Sequence, residues 1–367
     1  MIQFLKKNIV LAIACSAALV TTFFVPPDKA YLSYFDARTL TCLFCTLAVI
    51  CALKNIHFFQ IVARKIILFF KNLRATVLAL IYVTFIGSML IANDMALLTF
   101  LPLGYLVLNS TGRTDKLAFT FVMQTIAANL GGMLTPFGNP QNLYMYSYFQ
   151  IPTGEFIKIM LPPFLLSIFL ITMCTIFFVK KEPLSLENET IHHLHRILTA
   201  IYLALFAFSI AIVFRAVSCL TGIVVIVVAL FILDRNALLK VDYPLLLTFC
   251  AFFVFAGNMA RIPAVHTFLS GMMEKNALLC GVASCQVISN VPSAVLLSKF
   301  TDHYPALLVA VNIGGTGTLI ASLASLITFK EYTKRMKGQA WHYIKMYSLF
   351  NFGILLLLFV FATWLDI

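Results

Sequence analysis

Residues 128–135 read Ala-Asn-Leu-Gly-Gly-Met-Leu-Thr, and residues 311–318 read Val-Asn-Ile-Gly-Gly-Thr-Gly-Thr. The two runs align without a gap, and beyond them Gly138 meets Ala321, Asn139 meets Ser322 and Leu143 meets Leu326. Each run lies inside a long apolar stretch. Paired glycines loosen the backbone there, and Pro136 and Pro140 in the first copy stop a helix from running through. A helix broken in its middle is therefore expected twice, over 117–150 and over 306–328. Just upstream of each lies another apolar segment with a polar centre. In 75–108 the centre is Ala92-Asn93-Asp94, and in 276–300 it is Ser289-Asn290-Val291-Pro292, so that Asn93 falls opposite Asn290. Further upstream, Asp36–Ile56 matches Asp242–Ile262, each an acidic start followed by one helix. The order helix, amphipathic stretch, hairpin, broken helix, helix is the same in both halves.

The composition says where such a chain lives. Of its 367 residues, 61% are apolar and 11% charged, with a mean hydropathy of +0.97. Soluble domains run near half apolar and a quarter charged. Apolar stretches of about twenty residues recur from end to end, so an all-α polytopic membrane protein is expected. The net charge of +12 then has no bearing on nucleic acid, and no polar block is long enough for a soluble catalytic domain. All nine cysteines fall in apolar segments and read as packing residues, Cys42 and Cys45 included. Lys6 and Lys7 precede a long apolar run that ends in Pro26-Pro27 with no small-residue cleavage site, which reads as an uncleaved first helix.

Further helices are expected near 8–25, 38–54, 156–179, 197–214, 217–233, 244–258 and 347–365. If 75–108 and 276–300 each return to the side they left, all but seven of the 26 Lys and Arg residues fall on one side. The seven are Lys29, Arg38, Lys158, Arg215, Arg261, Lys275 and Lys299. The rich side is then cytoplasmic, with the N-terminus inside and the C-terminus outside. A polar tip between two apolar arms is what a re-entrant hairpin requires, and such backbone is tolerated only where protein or a cavity surrounds it. The halves, 1–196 and 215–367 with 197–214 between them, are thereby placed in opposite orientations. Inverted repeats with discontinuous helices are the architecture of secondary transporters.

Asp94 is the only charged residue between Arg74 and Arg113, and it sits at a hairpin tip. Intramembrane acids are costly and mark ion or substrate paths; the alternative is an Asp that N-caps the second arm. The breaks also create helix N-termini, which suit anions, and free carbonyls, which suit a hard cation such as Na⁺. Elsewhere, Ile56–Phe70 reads as an amphipathic helix on the cytoplasmic surface, mirrored by Arg261–Met273. His192, His193 and His195 fall in a polar loop, no metal site is expected, and the 35 phenylalanines are lipid-facing and packing residues. An intramembrane enzyme needs a nucleophile with a base, a metal set or paired carboxylates at depth; only Asp94 is deep, and no catalytic residue is assigned.

These residues resemble the ion transporter superfamily, which spans arsenite pumps, Na⁺/H⁺ antiporters, citrate transporters and divalent-anion/sodium symporters. Asn93-Asp94 followed by MALLTFLP is similar to the first hairpin of the arsenite-pump branch. GGMLTPFGNPQN (131–142) and GGTGTLIAS (314–322) are similar to the symporters' broken helices. The resemblance implies an elevator-type, ion-coupled secondary transporter of a small anion, such as citrate or another di- or tricarboxylate, or an oxyanion such as arsenite. A Na⁺/H⁺ antiporter and an anion channel are the alternatives. It also implies Na⁺ or H⁺ as the coupling ion and no other cofactor, a homodimer in membrane lipid, and no nucleic-acid partner. The substrate residues it implies are Asn93, Asp94, Thr135, Asn139, Asn290, Val291, Ser293, Thr316 and Thr318. The cation residues it implies are Ser88, Asn93, Asp94, Gly138, Asn290, Ala321 and Ser322. Cys285 stands where the symporter pattern has a hydroxyl, and Asp94 where it has a tip Thr. That Asp94 suggests a carrier of the coupling proton.

Overall fold

The computed structural model describes residues 8–184 and 195–366. Lys6, Lys7, His192 and His193 lie outside the described residues, while His195 turns its ring to accept from the Leu198 N–H and caps the helix that follows. The described chain is helical throughout, apart from one isolated bridge between Asn72 and Pro183. Seven of its helices are long and apolar enough to cross a membrane. The protein is an all-α polytopic membrane protein, as its composition requires.

The first half runs α1 (Ile9–Thr22), α2 (Ala37–Asn55), α3 (Phe58–Leu68), α4 (Leu73–Ile91), α5 (Asn93–Ser110), α6 (Leu117–Gly131), α7 (Pro140–Tyr148) and α8 (Thr153–Phe178). Then come α9 (Arg196–Val213), α10 (Cys219–Leu233) and the short α11 (Arg235–Leu239). The second half runs α12 (Tyr243–Arg261), α13 (Pro263–Ile288), α14 (Asn290–Leu297), α15 (Tyr304–Ile313), α16 (Leu323–Arg335) and α17 (Ala340–Trp364).

Local chemistry repeats between the halves. Asp36 caps α2 by accepting from the Thr39 N–H, and Asp242 caps α12 by accepting from the Leu245 N–H; both helices have 19 residues. Asn72 accepts from the Ala75 N–H at the start of α4. Asn276, with extended backbone in the middle of α13, accepts from the Leu279 N–H and so starts a new helical arm. The interrupted apolar segments are hairpins: α4 packs on α5, and the second part of α13 packs on α14. Each turns on one residue with positive φ, Ala92 (φ 59°, ψ 150°) and Ser289 (φ 75°, ψ 159°). The closing helices, α8 and α17, have 26 and 25 residues.

The feet of each hairpin sit together. Leu73 donates to Glu182 O at 2.8 Å, Arg74 Nε donates to Val179 O at 2.7 Å, and Arg113 pairs with Glu182 at 2.5 Å. The chain leaving α8 therefore straps both arms of the first hairpin at one end of the molecule. Residues 276–278 and 298–300 line one cavity of about 1430 Å³, together with Gln150 and Thr363. The two ends are opposite. Arg335, just before α17, lies over the ring of Tyr105 near the foot of α5. Thr363, at the far end of that 25-residue helix, lies by the second hairpin. At 1.5 Å per residue the helix is about 37 Å long. Removing the strap's charge in Glu182→Ala is expected to cost about 1 kcal/mol or less, because both partners are partly exposed. Thermal unfolding of the purified chain measures it.

Helix α6 is almost wholly buried, with α4, α5, α8, α16 and α17 around it. Helices α9 and α10 pack on the largely buried α2 and form, with α12, a more exposed side, and α1 is laid on α12. Two boundaries differ from expectation. The last helix begins at Ala340 rather than 347, and α16 continues to Arg335 rather than 328. Charges hid both. Tyr343 and Tyr347 turn inward one turn apart, while Trp341, His342 and Lys345 face outward; on α16, Arg335 pairs with Glu331 one turn before it.

Candidate substrate and ion site

The last residue of α6, Gly131, has no room for a side chain: a Cβ there would lie 2.3 Å from Phe85 O and 2.5 Å from Ser88 Oγ of the first hairpin. The same closeness recurs at Gly314, where a Cβ would lie 2.9 Å from Cys285 Sγ of the second hairpin. Each broken helix is then tied to the first arm of its own hairpin by one threonine. Thr135 Oγ1 donates to Met89 O at 3.0 Å, and Thr318 Oγ1 donates to Gln286 O at 3.0 Å. Gly317, at φ 115°, makes room for the Gln286 side chain, whose Oε1 accepts from the Thr318 N–H. After each break the chain re-enters a helix through an extended residue, Asn139 before α7 and Ser322 before α16.

At both tips an asparagine side chain satisfies the next backbone N–H. Asn93 Oδ1 accepts from Asp94 N–H at 3.0 Å, and Asn290 Oδ1 accepts from Val291 N–H at 2.9 Å. The N-cap role considered for Asp94 is thus corrected: Ala92 is the cap position, Asn93 supplies the acceptor, and Asp94 lies in the first turn of α5. Its Oδ1 is buried and has no hydrogen-bond partner among the described residues.

Between the tips lies a cluster of buried asparagines. Asn93 Nδ2 donates to Asn129 Oδ1 at 3.1 Å, and Asn129 Nδ2 donates to Gly315 O at 3.1 Å and Ser322 Oγ at 3.0 Å. Asn139 Nδ2 donates to Asn129 O at 3.3 Å, and Asn312 Nδ2 donates to Asn142 Oδ1 at 2.6 Å. The first hairpin, the first break and the second break therefore meet at Asn129. The second tip meets its own break, where Asn290 N–H donates to Ala321 O at 3.0 Å. No Lys, Arg or His bonds to these groups among the described residues. Negative charge at this centre would be met by neutral donors, backbone N–H groups, amides and hydroxyls, and by helix dipoles.

The expected site residues fall into two groups. Asn93, Asn139 and Ser322 enter the central cluster, and Asn290 joins Ala321. Ser88 and Gly138 pack against the first break, while Asp94 and Val291 lie at the tips. Thr316 and Ser293 are not brought to the cluster. Thr316 Oγ1 donates to Ile313 O in its own turn, and Ser293 Oγ to Ser289 O within the second hairpin. Asn129, Asn142, Asn312 and Gln286 were not singled out, although a lone amide in an apolar helix is a signal that sequence alone carries.

Two hairpins opening at opposite ends, with two broken helices that meet in a buried polar centre, define a membrane transporter. The sequence profile of the citrate transporter family matches residues 2–303, and the chain belongs to that family. It is 33% identical over 296 residues to the uncharacterized transporter MJ0456 of Methanocaldococcus jannaschii, covering 80% of each chain. It is 28% identical over 337 residues to the inner membrane protein YbiR of Escherichia coli, covering 89% of this chain and 88% of the other.

Proposed function

We propose that the protein is an ion-coupled secondary transporter that carries a small anion, a di- or tricarboxylate such as citrate or an inorganic oxyanion, across the cell membrane. The observation that carries this reading is the doubled pattern at the centre: two asparagine tips and two threonine-tied breaks, with one acid among them. In this reading 1–196 and 215–367 are inverted repeats, and the hairpins and broken helices slide as a unit against α2, α9, α10 and α12. The N-terminus faces the cytoplasm and the C-terminus the outside. The coupling ion, Na⁺ or H⁺, binds beside the tips: Ser88, Asn93, Asp94 and Gly138 on one side, Asn290, Ala321 and Ser322 on the other. Substrate lies between them against Thr135, Asn139, Val291 and Thr318. The transporter works as a dimer.

The test is thermal stability of the purified chain with citrate, succinate, sulfate, phosphate and arsenite, each with and without Na⁺. A ligand that binds only the native state raises stability by mass action, by about 2.7 kcal/mol at a hundred times its Kd. A shift that needs one anion and Na⁺ together is the expected result for a symporter. The second reading, a cation/proton antiporter, is favoured by the free Oδ1 of Asp94; a response to Na⁺ or pH with no anion selects it.

A further inference from the structure

The cavity at the feet of the second hairpin holds a cation that no acid answers. Lys299, just past the end of α14, sets its ammonium over the ring of Tyr148, 4.2 Å from the centroid, and both residues line the cavity. Among the described residues that ammonium forms no ion pair and no hydrogen bond. The other charged side chains of the cavity, Glu274, Lys275, Asp302 and Asp366, are exposed, as are His266 and His303. Water and salt screen that rim, acids included, whereas Lys299 is half-buried between the buried Ser298 and Phe300. Nor is Lys299 needed at the carbonyl end of α7, where Arg215 donates to Tyr146 O at 2.9 Å and Gln150 O at 3.4 Å. An aromatic face gives an ammonium about 0.5–2 kcal/mol; an anionic oxygen adds charge-assisted hydrogen bonds, about twice as strong as neutral ones.

Beneath this amine a line of polar groups leads to the centre. Tyr148, Tyr144 and Gln141 follow one another a turn apart on one face of α7. The Tyr144 ring stacks on Tyr148 with centroids 5.4 Å apart, and its hydroxyl shares a 2.8 Å hydrogen bond with Ser298 Oγ. Both hydroxyls are buried, so this pair floors the cavity. One turn deeper, Gln141 is 1% exposed, and neither end of its amide has a partner among the described residues. A buried amide left open at both ends is costly and fits a ligand that passes it. Asn139 of the central cluster comes next, and its Oδ1 is open as well. Helix α14 packs beside α7 and starts at the Asn290 tip, so both run from the centre to the cavity. From Asn139 to Tyr148 the rise is about 14 Å.

We propose that this cavity is a loading site for a small soluble anion bearing carboxylate or other acidic oxygens: Lys299 captures it over Tyr148, and the Tyr144–Ser298 hydroxyl pair closes the way onward to Gln141 and Asn139. The onward passage rests on the transporter reading above, in which this end faces outside; the capture does not. When Tyr144 parts from Ser298, the NH2 group of Gln141 donates to the oxygens of the passing anion.

The test uses the full chain in detergent at constant ionic strength, with trinitrobenzenesulfonate, which labels free amines, and mass spectrometry of each lysine peptide. Citrate, sulfate and phosphate are the probes, added without Na⁺ because the cation residues proposed above lie at the tips. At ten times its Kd, an anion that covers Lys299 slows labelling there about tenfold by mass action. Lys158, exposed and outside the cavity, is the control. The expected result is slowing at Lys299 by at least one of the three anions, with Lys158 unchanged. No slowing by any of them overturns the proposal, as does a Lys299 that is never labelled. Equal slowing at Lys158 overturns it as mere screening. Slowing by added phosphatidylglycerol alone overturns it in favour of a lipid headgroup. A thermal shift that needs an anion and Na⁺ together, with Lys299 labelling untouched, removes the loading site and leaves the transporter reading standing. Protection at Lys299 without such a shift does the reverse.

Discussion

Asp94→Asn is expected to abolish ion-coupled transport in proteoliposomes, down to the background of protein-free vesicles, while the protein still folds. The substitution keeps the size of the side chain and removes the only acid at the tips. It also replaces a buried carboxyl oxygen that has no partner with a neutral amide. An acid in the middle of a membrane helix costs about 2.5–3.5 kcal/mol on insertion scales, so the thermal midpoint of the variant should equal or exceed that of the wild type. A stable variant without coupled transport is the outcome that separates function from folding. Transport whose pH dependence is undiminished would remove Asp94 from the mechanism.

The second large effect is one of space. Gly131→Ala places a methyl group 2.3 Å from Phe85 O and 2.5 Å from Ser88 Oγ. The first of these is backbone and cannot rotate away, so the first hairpin and α6 must separate. Overpacking of a close-packed interior costs about 1–3 kcal/mol, and Gly131→Ala is expected near the top of that range. The comparison is Gly154→Ala in α8, where a Cβ meets nothing within 4 Å. That change should instead be neutral or add up to about 1 kcal/mol, because alanine favours a helix more than glycine does. Thermal unfolding of the two variants side by side tests both. Equal midpoints would show that the hairpin yields at no cost.

Much of the fold was legible because membrane burial makes polar residues conspicuous. Asn93 and Asn290 stood out in apolar segments, and paired glycines marked the breaks. The capping residues Asp36 and Asp242 stood at the starts of matched helices. What sequence concealed were relations between distant segments. The strap at 179–184 has no motif, since its bonds to Leu73 and Arg74 are mostly made by backbone. Tyr347 carries no signal in the sequence, and only the fold turns it inward against Ser325. Thr316 and Ser293 show the converse limit. The family resemblance points to both, yet each hydroxyl satisfies a carbonyl in its own turn, as membrane helices often allow. The central role of Asn129 required knowing that the first hairpin and the second break approach the same point.

The two tips also share a backbone geometry that alanine and serine adopt only under strain, with φ 59° at Ala92 and φ 75° at Ser289. Such turns hold about 1–3 kcal/mol each. The strain is placed alike in the two hairpins, so it favours neither end. In the transporter proposed above, equal strain at the two tips would cancel from the energy difference between the two open states. The gradients on either side, rather than the tips, would then choose the direction of net flow.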